Sequence, residues 1–179
     1  MTITANALRD AAFAVMEDWQ IQENLKKIRD EIAHARGNSG AVRIIEDVKY
    51  MRQALAEARK AYAEDEVPVG AVLVMGGRII ARAHNLTETL NDATSHAEMQ
   101  VLTSAMAELR SKYLPDCTLY VTVEPCVMCA GAIYWAKIPR VVYGASEEKY
   151  GFTVKSPTAL LEKTEVVSGV LAEECASLM

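Results

Sequence analysis

The sequence predicts an α/β protein of three layers, α-β-α, in which a mixed sheet of about five strands carries helices on both faces and a helical N-terminal extension precedes it. Three observations carry this expectation. Along residues 46–179 apolar spacing alternates between the helical period and short β-branched runs. The pair Gly76-Gly77 lies between two such runs and marks an opening hairpin, so antiparallel pairing enters a sheet whose later strands are separated by helices. The small polar stretch Gly37-Asn38-Ser39-Gly40 divides this region from what comes before it.

Taken in order, residues 1–36 read as two helical segments, the second with Ile21, Leu25, Ile28 and Ile32 on one face. Residues 1–45 are therefore expected to be an appendage whose role stays open, and 46–179 the main domain. Val48, Met51, Leu55 and Ala58 repeat with helical period over 47–63, the first helix of that domain. The apolar run 67–75 and the β-rich run 78–83 form the hairpin. Residues 97–109 then read as helix, 118–123 as strand, 126–137 as helix and 140–143 as strand. A short helix over 156–162, a strand over 165–168 and a helix over 171–178 complete the pattern.

Composition narrows the function. A chain of 179 residues with 51% hydrophobic content suffices for one domain with a proper core. No apolar run is long enough to cross a bilayer, and MTITANALRD lacks the basic start and apolar stretch of a signal peptide, so no membrane partner and a cytoplasmic location are expected. In that reducing compartment four cysteines are poor material for a disulfide framework. Cys117 and Cys175 read as small buried residues. The net charge of −5 argues against nucleic-acid binding by bulk electrostatics alone, so any such partner must meet a local patch; the short basic cluster of Lys137, Arg140 and Lys149 reads more simply as solvated surface.

Two segments carry chemistry: Ser95-His96-Ala97-Glu98, and Glu124-Pro125-Cys126-Val127-Met128-Cys129. Each sits where a loop or strand enters a helix. Pro125 suits a first helical turn, and cysteines three apart share one face of that turn, where the helix N-terminus favours the thiolate. With His96 added, three N and S ligands suit zinc and leave the fourth position to water, the catalytic arrangement. Glu98 is not needed as a ligand. Beside water whose pKa zinc brings to about 7, it would shuttle protons, protonating a ring nitrogen as hydroxide attacks an amine-bearing carbon and helping ammonia leave.

Each part also has a plainer reading. Ser95 and Glu98 fit a helix capping box. His96 alone is more often structural, and Cys126 with Cys129 fits a redox pair or half of a structural zinc site. A redox pair would not require His96-Ala97-Glu98 upstream, and a structural site would need a fourth ligand.

His-x-Glu followed by Pro-Cys-x-x-Cys resembles the signature of the zinc nucleobase deaminases, the cytidine/deoxycytidylate deaminase superfamily. Further stretches resemble the bacterial tRNA-specific adenosine deaminases within it: Glu66-Val67-Pro68-Val69-Gly70-Ala71-Val72, Asn85, Thr118 through Ala132, and Arg140-Val141-Val142-Tyr143-Gly144-Ala145. The likeness runs in register from about residue 47 to 179. It implies a cytidine deaminase-like fold, one Zn2+ per subunit on His96, Cys126 and Cys129, and Glu98 as the catalytic residue. It also implies a homodimer that converts the wobble adenosine of a tRNA anticodon stem-loop to inosine. Asn85 would hydrogen-bond the nucleotide, Val67 pack on the base and the Ala97 backbone read it. Anticodon-loop bases are already partly unstacked and enter a pocket at low cost. Where the family usually has aspartate after the Gly-Ala step, this chain has Ser146-Glu147; family members commonly run on into a basic helical end and lack the first 45 residues. A deaminase of free guanine or cytosine on the same fold is the nearest rival, although guanine deaminases tend to have proline where Val127 stands. A non-catalytic zinc or redox CxxC protein is the alternative from another class.

Overall fold

The computed structural model describes residues 38–179, and the helical segments expected within residues 1–36 lie outside them. The chain divides into two units, Met1–Lys49 and Tyr50–Met179. Helix α1 (Asn38–Ala63) already runs through residues 38–46, ahead of the helix start expected at residue 47.

In the second unit five strands, β1 (Gly70–Met75), β2 (Arg78–His84), β3 (Cys117–Val123), β4 (Arg140–Ala145) and β5 (Glu165–Ser168), form one sheet in the order β2-β1-β3-β4-β5. β1 runs antiparallel to β2 and β3, whereas β3, β4 and β5 are mutually parallel. The hairpin turn places Gly76 and Gly77 at φ of 57° and 76°. Two successive positive φ values match the sense of strand twist and favour glycine at both positions.

Alternate strand residues face opposite layers. Leu73, Leu119, Val121 and Val141 pack with Val101 and Leu102 of α2 (Ala97–Leu109) and Ile133 of α3 (Val127–Ala136). On the other face, the Tyr50 ring of α1 lies 5.3 Å from that of Tyr120. A Cβ on Gly70 would collide with the backbone of Ala54 and Ala58, so α1 lies directly on β1 only because residue 70 has no side chain. Past the single-turn helix α4 (Phe152–Lys155), the last helix α5 (Ala172–Ala176) brings Cys175 against Gly144 on this same face. The mixed five-stranded sheet with helices on both faces is the architecture the sequence predicts.

The expected helix over 156–162 does not form. Ser156, at φ −156° and ψ 74°, lies outside the helical region that a following proline disfavours, and one turn closed by Ala159 N–H on the Ser156 carbonyl is not propagated. The helical turn stands instead at Phe152–Lys155.

Register fixes the working end of the sheet. Gly70 pairs with His84, Ala71 with Val121 and Val123 with Ala145. The start of β1 and the ends of β2, β3 and β4 therefore share one edge, and the loops leaving it lead into α2, α3 and α4.

Candidate active site

His96 is the N-cap of α2 and Cys126 the N-cap of α3, both with extended backbone. Glu98 follows in the first turn of α2, and Cys129 in that of α3. Two helix N-termini thus converge, and their partial positive charge favours a thiolate between them. The capping-box reading fails: Ser95 Oγ donates to Asp92 Oδ2 at 2.8 Å and the N-cap makes no side-chain cap bond, while the Glu98 carboxyl bonds its own backbone N–H and Cys129. Pro125 stands before the N-cap rather than in the first turn, and its carbonyl accepts from the Phe152 N–H at 2.9 Å.

His96 Nδ1 lies 3.7 Å from Cys126 Sγ and 3.6 Å from Cys129 Sγ, and the three ligand atoms are all within 4.8 Å of one another. Bonds of about 2.3 Å to sulfur and about 2.0–2.1 Å to nitrogen place tetrahedral donors roughly 3.5–3.8 Å apart. The spacing and donor chemistry therefore fit zinc. Among the described residues this is the only such histidine, cysteine and carboxylate group.

The protonation pattern has the same origin. The hydrogen bond from Cys129, together with His96 and against the cost of burial, brings the Cys126 thiol down to about 4. Donation to Cys126, burial and the nearby Glu98 charge push the Cys129 thiol up. The bond with Cys126 raises His96 despite burial. Glu98 is only 3% exposed, and burial pushes its carboxyl up.

These groups open onto a cleft of about 240 Å³, whose lining includes Val67, Asn85, His96, Glu98 and Cys126. That is below the roughly 300–1,000 Å³ of pockets for drug-sized ligands, a size suited to one base. Val67 is half exposed. Cys129 is fully buried beneath the cleft, and the Ala97 side chain belongs to the core rather than the cleft lining.

Two buried carboxylates that sequence reasoning left without a role each hold a loop that lines the cleft. Glu66 accepts from the N–H groups of Glu88 and Thr89 at 3.1 and 2.7 Å and from Asn85 Nδ2 at 3.0 Å. Burial opposes its charge, but the Thr89 and Glu88 N–H groups outweigh it and hold the carboxyl below its ordinary range. Glu124 accepts from the N–H groups of Glu147 and Thr153 at 3.1 and 2.9 Å and from the Thr153 hydroxyl at 2.6 Å. It anchors the loop that carries the cleft residues Glu147 and Tyr150. A carboxylate inside an apolar stretch such as 117–133 was the available signal, since a buried charge requires partners.

The family model for the cytidine and deoxycytidylate deaminase zinc-binding region matches residues 44–145. The tRNA-specific adenosine deaminase of Bacillus subtilis (strain 168) is 48% identical over 139 residues, 75% of this chain and 86% of that one. A solved structure from studies of A-to-I editing by tRNA:A34 deaminases at the wobble position matches with a TM-score of 0.68 and 46% identity, covering 73% of this chain and 98% of that one. A guanine deaminase structure from Bacillus subtilis matches with a TM-score of 0.55 and 37% identity, covering 61% and 74%.

Proposed function

The chain belongs to the cytidine and deoxycytidylate deaminase family, and from that premise we propose that it hydrolytically deaminates the wobble adenosine in the anticodon loop of tRNA to inosine. The observation that carries the reading is the convergence of His96, Cys126, Cys129 and the buried Glu98 on one base-sized cleft. The higher identity and wider coverage of the adenosine deaminase relative favour adenosine in tRNA over free guanine.

In this reading His96, Cys126 and Cys129 hold one zinc ion. A zinc ion held by these residues would lower the pKa of water to about 7 and so make a nucleophile available at neutral pH. Glu98 moves the protons: its carboxylate takes one from the attacking water and gives it to the ring nitrogen beside the amine-bearing carbon, then takes the second from the added hydroxyl and gives it to the amine, so that the C–N bond breaks, ammonia leaves and a carbonyl remains. Burial keeps bulk water from competing for those protons. Val67 packs against the base, Asn85 hydrogen-bonds the nucleotide, and the Ala97 backbone N–H, in the first turn of α2, is available to the substrate. At the rim Tyr150 is exposed, with Lys149 Nζ 4.9 Å from its ring centroid. An aromatic platform beside a cation suits a splayed base and its phosphate, which is how an acidic protein meets RNA locally.

The chemistry falls within residues 46–179, and residues 1–45 are an N-terminal extension of open role. The proposal includes a homodimer working in the cytoplasm; among the described residues no helix is long and apolar enough to cross a membrane. An anticodon stem-loop, free guanine and free cytosine offered side by side test the substrate. Inosine in the RNA with both free bases untouched is the expected result, and ammonia released from a free base overturns it. Light scattering should give twice the 19.6 kDa chain mass.

A further inference from the structure

Asn85 follows the end of β2, and its backbone N–H is spent on the Val69 carbonyl at 3.0 Å. Its side-chain amide has two N–H donors and one carbonyl acceptor. Both donors are also spent: Nδ2 donates to Glu66 Oε2 at 3.0 Å and to Thr87 Oγ1 at 2.8 Å. The orientation follows from Glu66, because an ionised carboxylate only accepts and so can face only the amide nitrogen. Thr87 agrees with it, since its hydroxyl lies 3.4 Å from the same Glu66 oxygen as a donor and is left to accept from Asn85. Glu66 itself is 4% exposed and held by the N–H groups of Glu88 and Thr89, so the network has little freedom to turn over. What Asn85 presents to the cleft is Oδ1, an acceptor with no protein partner among the described residues.

An acceptor selects a donor. Within an RNA chain the adenine ring nitrogens N1, N3 and N7 are themselves acceptors, the exocyclic amine is the group being removed, and the 3′ and 5′ oxygens are esterified. The 2′-hydroxyl is the donor that remains, and it is the group that separates RNA from DNA. We propose that Glu66 is a positioning residue that fixes Asn85 with its carbonyl oxygen toward the cleft, and that this oxygen accepts from the ribose 2′-hydroxyl of the target nucleotide. The inference rests on the RNA reading above and adds a sugar requirement at one nucleotide.

The test uses anticodon stem-loops that differ only in the sugar of the target adenosine: ribose, 2′-deoxy and 2′-fluoro. Fluorine removes the donor while keeping the ribose-like pucker, so it separates hydrogen bonding from sugar shape. The purified full-length protein should show kcat/KM lower by about three- to ten-fold on both modified loops, the value of one neutral hydrogen bond. Asn85→Ala should bring the ribose to 2′-deoxy ratio close to one. Glu66→Gln should also lower that ratio, because the Gln amide can donate to Asn85 and let it turn over, an effect that general loosening of the loop would not produce. Equal rates on the three loops, or an unchanged ratio in Asn85→Ala, overturn the proposal. Failure of the all-ribose loop to react sinks the RNA reading itself and is distinct from either outcome.

Discussion

Glu98→Gln removes the proton carrier and little else. The amide matches the carboxylate in size, so it leaves no cavity at a position only 3% exposed. The proposed zinc ligands are His96, Cys126 and Cys129, so metal content should stay at one equivalent. Positioned acid–base catalysis contributes about 10²–10⁴-fold. Glu98 serves both the ring nitrogen and the leaving amine, and its burial denies bulk water a substitute role, so the upper half of that range applies. A loss of about 10³–10⁴ in the single-turnover rate raises the barrier by about 4–5.5 kcal/mol. Inosine formation in an anticodon stem-loop measures the rate, with zinc by plasma mass spectrometry and melting by circular dichroism on the same preparation. A variant with full zinc and a rate within ten-fold of wild type would refute the shuttle assignment.

The other perturbations have equally definite outcomes. His96→Ala and Cys129→Ala should both lose zinc, measured after dialysis against a mild chelator. In metal-stripped protein at pH 6, iodoacetamide should label Cys126, whose thiol is held down to about 4, well before Cys175, which burial pushes up to about 12; peptide mapping reads the order. Because Cys175 keeps its proton while an unfolded thiol ionises near 8.5, its contribution to stability is intact below that value and is lost as pH rises toward 12. Glu124→Ala strands two backbone N–H groups and a hydroxyl, at a cost of about 2–4 kcal/mol. Tm should fall by about 5–15 °C, with a raised KM and zinc retained, and an unchanged Tm would remove Glu124 as the anchor. Gly70→Ala should cost about 3 kcal/mol in chemical denaturation, because the new Cβ meets the backbone of α1 rather than a side chain that can yield.

The cluster of His96, Glu98, Cys126 and Cys129 was legible because ligation and proton transfer demand particular side chains at short spacing, and His96 with Glu98, or Cys126 with Cys129, are neighbours on one turn. The sheet was legible from period changes and the Gly76-Gly77 turn. Errors arose where a local pattern had a nonlocal competitor. Ser95 resembled a cap until Asp92 took its hydroxyl, and residues 156–162 resembled a helix that the non-helical Ser156 before Pro157 does not continue. Glu66 and Glu124 were present in the quoted motifs but without roles, because they act on Asn85 and Thr153, 19 and 29 residues further along the chain. No window on the sequence joins partners at that distance; the fold does.

The chemistry stands on two helix starts, while each wall of the cleft hangs from a single buried carboxylate. This separates what reacts from what is chosen. Exchanging the residues between Asn85 and Asp92, or those around Glu147, would reshape the cleft walls while leaving His96, Cys126 and Cys129 on their own helices, provided Glu66 and Glu124 remain to receive the new loop. Retargeting such a protein is then a matter of redesigning two short spans against fixed attachment points, with the reaction centre carried over intact.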